Sequence, residues 1–302
     1  MRTVVRWTLR IGVVLLVLAA GLAGAVYALS ARRLNRVYAI DVVVPRAIPA
    51  DAAGIERGRH IATALASCQM CHGADLGGQT LVEGPIGTIA APNLTRGAGG
   101  LGAAFADADW VRGIRHGVHR DGTTMLAMPT EAFVYMNEGD VGALVAYLKQ
   151  LPAVDRAMPP SRLGVLGRAL LAAGKFSILV AEKTPRLAYP DAITPASTVD
   201  YGRYLANFTG CHGCHGFGLS GGAVAGPPGI PPASNLTPDP ATGIARWTEA
   251  DFERALRHGV TPDGRQLDTF MPWPYFSGMT NTEVAALWSY VRSVPAKPFG
   301  NK

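Results

Sequence analysis

Outside its first 36 residues, the 302-residue sequence lacks any excess of charge. The whole chain has 28 Lys and Arg residues against 22 Asp and Glu, but six arginines and no acidic residue lie in residues 1–36. The rest of the chain therefore carries 22 residues of each sign. Such a balance gives no support to nucleic-acid binding, which depends on a basic surface.

Cysteine is also scarce, and its placement is informative. The four cysteines form two short motifs, Cys68-Gln-Met-Cys71-His72 and Cys211-His-Gly-Cys214-His215. Two cysteines three positions apart, followed directly by histidine, are typical of c-type haem attachment. The thiols add to the two vinyl groups of the porphyrin, and the adjacent imidazole reaches the iron from one side. We therefore predict two covalently bound haem c groups, with His72 and His215 as iron ligands.

A Cys-x-x-Cys pair also occurs in zinc sites and in dithiol redox enzymes. A zinc site would require the two motifs, 143 residues apart, to converge on one metal, and it would leave the trailing histidines unexplained. A thiol oxidoreductase usually carries one such pair near a βαβ pattern, and the sequence has no evident strand-helix-strand unit. Haem attachment explains the doubled motif better than either alternative.

The N-terminal segment, residues 1–36, is a candidate membrane anchor. Residues 11–29 contain no charge, and a helix of this length spans about 28 Å, close to the roughly 30 Å hydrocarbon core of a bilayer. A cleaved signal peptide is the alternative, because Ala28-Leu29-Ser30 offers small residues for cleavage, but its apolar region is usually shorter. Since haem c is attached outside the cytoplasm, we expect a cell inner-membrane protein with its haem domains facing the periplasm.

The chain contains an internal repeat. The haem motifs lie 143 residues apart, and the same offset relates Met128-Pro129 to Met271-Pro272. Between these points an offset of 142 relates Asn93-Leu94-Thr95 to Asn235-Leu236-Thr237. The repeat predicts four segments: the anchor (residues 1–36), a first module (51–155), a linker (156–197) and a second module (198–302).

Each module is predicted to be all-α. A short helix begins near Gly58 or Gly202 and leads into the haem motif, and a second helix covers about residues 107–116 or 249–258. A third helix closes the module after the Met-Pro loop, with apolar residues at i, i+3, i+4 and i+7 that indicate one buried stripe.

The sequence also predicts how the closing helices begin and what structure the linker adopts. Thr280 and Glu283 form a capping box at one closing helix, and Asn137 with Asp140 form a weaker version at the other. Residues 162–180 are predicted as one amphipathic helix, which either packs between the modules or lies on the membrane surface.

The second axial position of each iron also needs a ligand. Methionine there gives a high-potential electron-transfer centre, histidine gives a lower potential, and a vacancy permits ligand binding or peroxide chemistry. Met128 and Met271 each lie 56 residues after their histidine, and each precedes a proline that stiffens the loop. The equal spacing predicts these two methionines as the distal ligands.

Other candidates for the distal ligand are less well placed. Met125 has no counterpart in the second module. Met136 and Met279 correspond, but they fall where the closing helix begins, and a core contact is expected there. His116 and His258 also correspond and would give bis-histidine ligation, although their position beside arginines suits a site near haem propionates or solvent.

Two Cys-x-x-Cys-His motifs, each followed by Met-Pro and a closing helix, resemble tandem class I cytochrome c domains. The segments Ala91-Pro-Asn-Leu-Thr95, Arg115-His-Gly-Val118 and Met271-Pro-Trp273 look like those of the multihaem cytochrome c subunits of membrane-bound periplasmic dehydrogenases. The resemblance covers nearly everything from about residue 51 onward. It implies an all-α cytochrome c fold with thioether bonds at the four cysteines and with His-Met ligation. Those subunits commonly carry three haem modules, whereas this chain has two.

The leading hypothesis is a membrane-anchored electron carrier with no catalytic residues and no small-molecule substrate. It would pass electrons from a periplasmic or membrane dehydrogenase to a downstream cytochrome or terminal oxidase, so its partners are redox proteins and the membrane. The competing hypothesis is a dihaem enzyme of the peroxidase or thiosulfate dehydrogenase type, which needs unequal haems. Matching Met-Pro positions in both modules favour the carrier.

Overall fold

The computed structural model describes residues 2–224, 226 and 229–300. Its first element is a long continuous helix, α1 (Arg2–Leu34). The stretch Thr3–Leu34 is long and apolar enough to cross a membrane, and none of its most apolar window is buried inside the protein. This helix contains the whole uncharged run and continues beyond the possible cleavage site at Ala28-Leu29-Ser30.

The first module follows in the predicted order. Its elements are α2 (Ala52–His60), a π-helical turn (Ile61–Leu65), α3 (Cys68–His72), β1 (Gln79–Gly84), β2 (Gly87–Ala91), α4 (Asp107–His116), α5 (Thr130–Phe133) and α6 (Glu138–Leu148). The linker contributes β3 (Arg162–Leu163), α7 (Val165–Ala172) and α8 (Val180–Lys183). The second module comprises α9 (Val199–Phe208), α10 (Cys211–His215), α11 (Glu249–His258), α12 (Trp273–Phe276) and α13 (Asn281–Ser293).

The mostly helical fold confirms the predicted class, and α4 and α11 have the predicted bounds. The first helix of each module begins earlier than predicted. Asp51 caps α2 and Thr198 caps α9, because each side chain accepts a hydrogen bond from the backbone N–H three residues on. At α13 the capping box of Thr280 and Glu283 is present, whereas at α6 Asn137 caps alone.

A small antiparallel sheet, in the order β1-β2-β3, was not predicted. Strands β1 and β2 form a hairpin, and β3 adds through the pairs Gly87 with Leu163 and Thr88 with Arg162. The third strand comes from the linker, so the sheet ties the linker to the first module. Only one module has such a sheet among the described residues.

The prediction of one linker helix over residues 162–180 was wrong. Residues 162–163 pair with β2, and Gly164 then starts α7 from an extended conformation. The helix ends near Gly174, whose φ of +67° is left-handed and suits glycine. The segment is therefore a strand, a helix of two turns and a separate short helix α8.

The first and last helices of each module cross at a glycine. A Cβ atom on Gly58 would collide with the carbonyl oxygen of Ala143 in α6, and one on Gly202 would collide with that of Ala286 in α13. Glycine therefore allows the two backbones to approach at the same place in both copies. The equivalence of these crossings supports the internal repeat.

One hydrophobic core runs through both modules. It includes Val111, Leu144 and Met136 from the first, and Phe208 and Leu287 from the second. Two reciprocal contacts join the modules around this core: α5 packs against α9, and α12 packs against the π-helical turn. Each Met-Pro loop, which leads into α5 or α12, therefore lies beside the helix that enters the other module's haem motif.

Candidate haem sites

Each haem motif forms one helical turn with the same backbone path on both sides. The residue before the first cysteine is left-handed, with φ of +49° at Ser67 and +85° at Gly210. The glycine after the histidine also has a positive φ in both copies, +80° at Gly73 and +78° at Gly216. Three residues later, Leu76 and Leu219 adopt φ of +56° and +58°, although leucine rarely does so. Such repeated strain is typical of functional sites.

The histidine of each motif has a fixed tautomer. His72 Nδ1 lies 2.9 Å from the carbonyl oxygen of Pro92, and His215 Nδ1 lies 2.7 Å from that of Ser234. A carbonyl oxygen can only accept, so Nδ1 carries the proton and the lone pair is on Nε2. Burial also lowers the pKa of His72 and keeps it neutral. A neutral imidazole oriented by a second hydrogen bond is the usual form of a metal-binding histidine.

The repeated Asn-Leu-Thr segment holds these carbonyl groups in place. Asn93 donates from Nδ2 to the carbonyl oxygen of Val154 at 2.6 Å, and Asn235 donates to that of Lys297 at 2.8 Å. The leucine of each Asn-Leu-Thr segment hydrogen-bonds to the leucine with positive φ in its own module. The backbone N–H of Leu94 donates to the carbonyl oxygen of Leu76, and that of Leu236 donates to the carbonyl oxygen of Leu219. The sequence shows that this segment is repeated but does not reveal its role. Its role is to fix the loop that orients the haem-motif histidine.

The cysteines do not fit the alternative chemistries. None of the four forms a disulfide in the described part of the chain. Burial raises the pKa of Cys68 to about 12, and it also raises the pKa of Cys71 and Cys211. A dithiol redox enzyme instead needs a thiol with a lowered pKa. The described residues also contain no group of three or more His, Cys, Asp and Glu side chains placed to hold a metal, as a zinc site requires.

Met128 and Met271 occupy equivalent positions. Each lies just before the proline that caps a short helix, α5 or α12, and its carbonyl oxygen accepts a hydrogen bond from the backbone two residues on. Both side chains are partly buried against the shared core, as are Cys68 and Cys211. The structure therefore places the methionine and the first cysteine of each module at the edge of one core.

The rival ligands lie in different surroundings. Met136 is fully buried and Met279 is 3% exposed, so both are core residues as expected. The side chain of Met125 packs near Gly113 on α4. His258 is exposed, whereas His116 is half-buried, and burial together with Arg115 lowers its pKa to about 4. The two histidines therefore differ in environment, which does not favour an equivalent role as ligands.

A comparison with known families agrees with this geometry. The family model described as cytochrome c matches residues 55–152 and again residues 199–295, which together make up more than half of the chain. The chain belongs to the cytochrome c family. Membership brings covalently bound haem and a role in electron transport, and the motif cysteines and oriented histidines of this cytochrome c have the chemistry that haem c requires.

This cytochrome c is similar to subunits of several dehydrogenases. It is 28% identical over 295 residues to the cytochrome c subunit of a quinone alcohol dehydrogenase from Gluconobacter oxydans, covering 87% of this chain and 59% of the relative. It is 37% identical over 291 residues to the gluconate 2-dehydrogenase cytochrome c subunit of Pantoea cypripedii, covering 80% and 60%. It is also 35% identical over 134 residues to the fructose dehydrogenase cytochrome subunit of Gluconobacter japonicus, covering 41% and 28%. The chain thus spans about three fifths or less of the length of these relatives.

Proposed function

We propose that this cytochrome c is a membrane-anchored dihaem electron carrier. It takes electrons from a periplasmic or membrane dehydrogenase and passes them to a downstream cytochrome or terminal oxidase. The observation that carries the proposal is the equivalence of the two sites, since each combines a Cys-x-x-Cys-His turn, an oriented histidine and a Met-Pro loop. The similarity to dehydrogenase cytochrome c subunits supports a dehydrogenase as the donor.

In this proposal each module, residues 51–155 and 198–302, holds one haem c. Cys68 and Cys71 form the thioether bonds in the first module, and Cys211 and Cys214 form them in the second. His72 and Met128 bind one iron, and His215 and Met271 bind the other. The haem supplies reversible one-electron chemistry when bound. The protein chain fixes each imidazole through Nδ1 and holds each methionine side chain against the apolar core, where it would serve as the second axial ligand.

The packing of the modules supports transfer between the two haems. The segment after each Met-Pro contacts the other module ahead of its Cys-x-x-Cys-His motif: Ala132 of α5 lies near Gly210, and Gly278, which follows α12, lies near Ala64. These contacts support the proposal, because they bring the segment after each Met-Pro close to the residues that precede the other module's Cys-x-x-Cys-His motif.

The location follows from α1 and from the haem chemistry. The proposal places α1 in the cell inner membrane, with residues after Arg36 in the periplasm, where haem c is attached. The continuous helix through Ala28-Leu29-Ser30 and the buried position of Ser30 support an uncleaved anchor. N-terminal sequencing of the purified protein tests this part, because a chain that begins at Ala31 would show cleavage.

Spectroscopy of the full-length protein tests the carrier function. A pyridine haemochrome assay should give two covalently bound haems per chain. The oxidised protein should show the weak sulfur-to-iron band at the red end of the spectrum, and Met128→Ala together with Met271→Ala should abolish it. Met125→Ala is the matched control and should keep the band. Carbon monoxide should bind slowly or not at all to the reduced parent protein, and rapid binding at one haem would instead indicate an enzyme with an open site.

A further inference from the structure

The linker helix α7 is fastened to the end of the anchor helix. Arg33 of α1 donates to the carbonyl oxygen of Leu171 at 2.7 Å, and Arg168 of α7 donates to Ser30 Oγ at 3.0 Å. The guanidinium of Arg168 also lies 4.5 Å from the ring centroid of Tyr27. Ser30 is fully buried by this packing. The anchor is thus a packed part of the periplasmic structure rather than a loose tether.

These contacts show that α7 runs parallel to α1. Going back along α7 from Leu171 to Arg168, the partner on α1 moves from Arg33 to Ser30. Three residues further back along α7 is Val165, and the same register places it level with Tyr27 of α1. At 1.5 Å per residue this is about 6 Å on the membrane side of Ala31, the last uncharged residue before Arg32. The start of α7 therefore lies at the depth of the bilayer surface.

The side chains at this level are apolar and exposed. Val165 is 86% exposed and Leu166 is 47% exposed. The hairpin turn between β1 and β2 lies against them, because Gly164 donates to the carbonyl oxygen of Ile86 at 2.9 Å, and a Cβ on Gly167 would collide with the same oxygen. We name Val165, Leu166 and the turn at residues 84–86 the linker tip.

We propose that the linker tip inserts into the outer leaflet of the same membrane that α1 crosses. This inference rests on the proposed anchoring. A bilayer suits the surface because exposed apolar side chains gain from acyl chains, while Arg168 beside Tyr27 and the exposed Arg162 suit the head-group layer. The chain is then held at two points, α1 and the linker tip. Two points of attachment fix the orientation of both haem modules above the membrane.

Photolabelling from within the bilayer tests the inference. The full-length, haem-loaded protein, without any partner, is reconstituted in nanodiscs of phosphatidylethanolamine and phosphatidylglycerol. A fraction of the lipid carries a diazirine in its acyl chain, and labelled peptides are mapped by mass spectrometry. We expect labels on α1 and on the peptide with Val165 and Leu166. The peptide with Phe217 is the matched control, because this residue is 80% exposed but belongs to the second module.

The outcomes separate the inference from the anchoring. Labelling of α1 and of the linker tip, several-fold above the Phe217 peptide, supports both. Labelling of α1 with the linker tip no higher than the control overturns the inference and leaves the anchor in place. Absence of labelling on α1 overturns the anchoring and the inference with it.

A variant shows whether the two apolar side chains cause the insertion. In Val165→Asp with Leu166→Asp, labelling of the tip should fall several-fold while that of α1 stays the same, and an unchanged haem spectrum shows that the modules are folded. Unchanged labelling of the tip in this variant would also overturn the inference. If the haem spectrum is altered, the milder pair Val165→Ser and Leu166→Ser is measured in its place, with the same criteria.

Discussion

Replacing Glu283 with alanine should destabilise the protein more than any exposed acidic substitution. Its side chain is 3% exposed and lies at the interface between the modules. Within its own module it accepts a hydrogen bond from the backbone N–H of Thr280 at 2.8 Å, which caps α13. Across the interface it contacts His60 Nε2 at 2.8 Å and Arg57 Nη1 at 3.2 Å. One carboxylate therefore supports both a helix and the interface.

The expected magnitude follows from these contacts. Removing one partner of a buried ion pair costs about 3–5 kcal/mol, because the remaining charge is left without compensation. Arg57 keeps a second partner, since it also binds both carboxylate oxygens of Asp140, so the lower part of the range applies to the ion pair. Loss of the helix cap adds about 1 kcal/mol. We expect Glu283→Ala to lower the free energy of unfolding by about 4 kcal/mol.

Urea denaturation of the haem-loaded protein, followed by circular dichroism, measures this change. With a slope of about 3 kcal/mol per molar urea, the midpoint should fall by roughly 1–1.5 M. Glu56→Ala is the control, because Glu56 is 60% exposed and pairs with Arg59, which is 50% exposed. An exposed pair contributes about 0–1 kcal/mol. If the two variants lose equal stability, the assignment of Glu283 as a structural link between the modules is wrong.

Glu283 should also make the free energy of unfolding depend on pH. Burial alone would raise the pKa of Glu283, but hydrogen bonds from His60 and Thr280 and the charge of Arg57 outweigh burial and lower it from its usual value of 4.5. A lowered pKa contributes stability above pH 4.5, and this contribution is lost as the pH falls toward the folded-state value. The stability difference between the parent protein and Glu283→Gln should thus be fully present above pH 4.5 and should shrink as the pH falls below it. A difference that grows in acid would contradict this reasoning.

Three further experiments test local features. Cys68→Ser with Cys71→Ser should leave one haem per chain in a pyridine haemochrome assay, and two haems would refute the attachment site. Gly58→Ala should cost about 1–3 kcal/mol through its clash with α6, whereas Gly139→Ala, which meets only ordinary contacts, should change urea stability by less than about 1 kcal/mol. Ser67→Gly should stabilise by up to about 1 kcal/mol, because it removes a left-handed serine; a loss of stability would show that the serine is needed.

The haem motifs and much of the helical frame could be predicted because their signals are local. Five consecutive residues specify the attachment turn, and residues such as Thr280 and Glu283 specify a helix start through their own backbone contacts. The internal repeat strengthened these predictions, because a helix indicated by the pattern in one module was indicated again at the equivalent position in the other. Helices α4 and α11 were predicted for this reason.

The sheet and the interface could not be predicted, because they depend on contacts between distant residues. Strand β3 has two residues and pairs with a strand about 75 residues earlier, which no local pattern reveals. The partners of the haem-motif histidines are also hidden, because the carbonyl groups of Pro92 and Ser234 are backbone atoms whose side chains differ. Only the nearby Asn-Leu-Thr repeat could have indicated that this loop has a role.

The interface shows why two copies of one module could diverge and still remain paired. Asp140 and Glu283 are equivalent, and each is contacted by the other module at equivalent positions: Tyr204 donates to Asp140 at 2.6 Å, and His60 contacts Glu283 at 2.8 Å. A two-fold interface uses the same surface patch of both partners. When two modules are still identical, a favourable contact is therefore made twice and stabilises the interface twice. Afterwards each half can change its donor separately, here to a phenol and to an imidazole. Both acids lie in the first turn of their closing helix, and Glu283 also caps that helix through the backbone N–H of Thr280, so the symmetric interface keeps its acids while its donors differ.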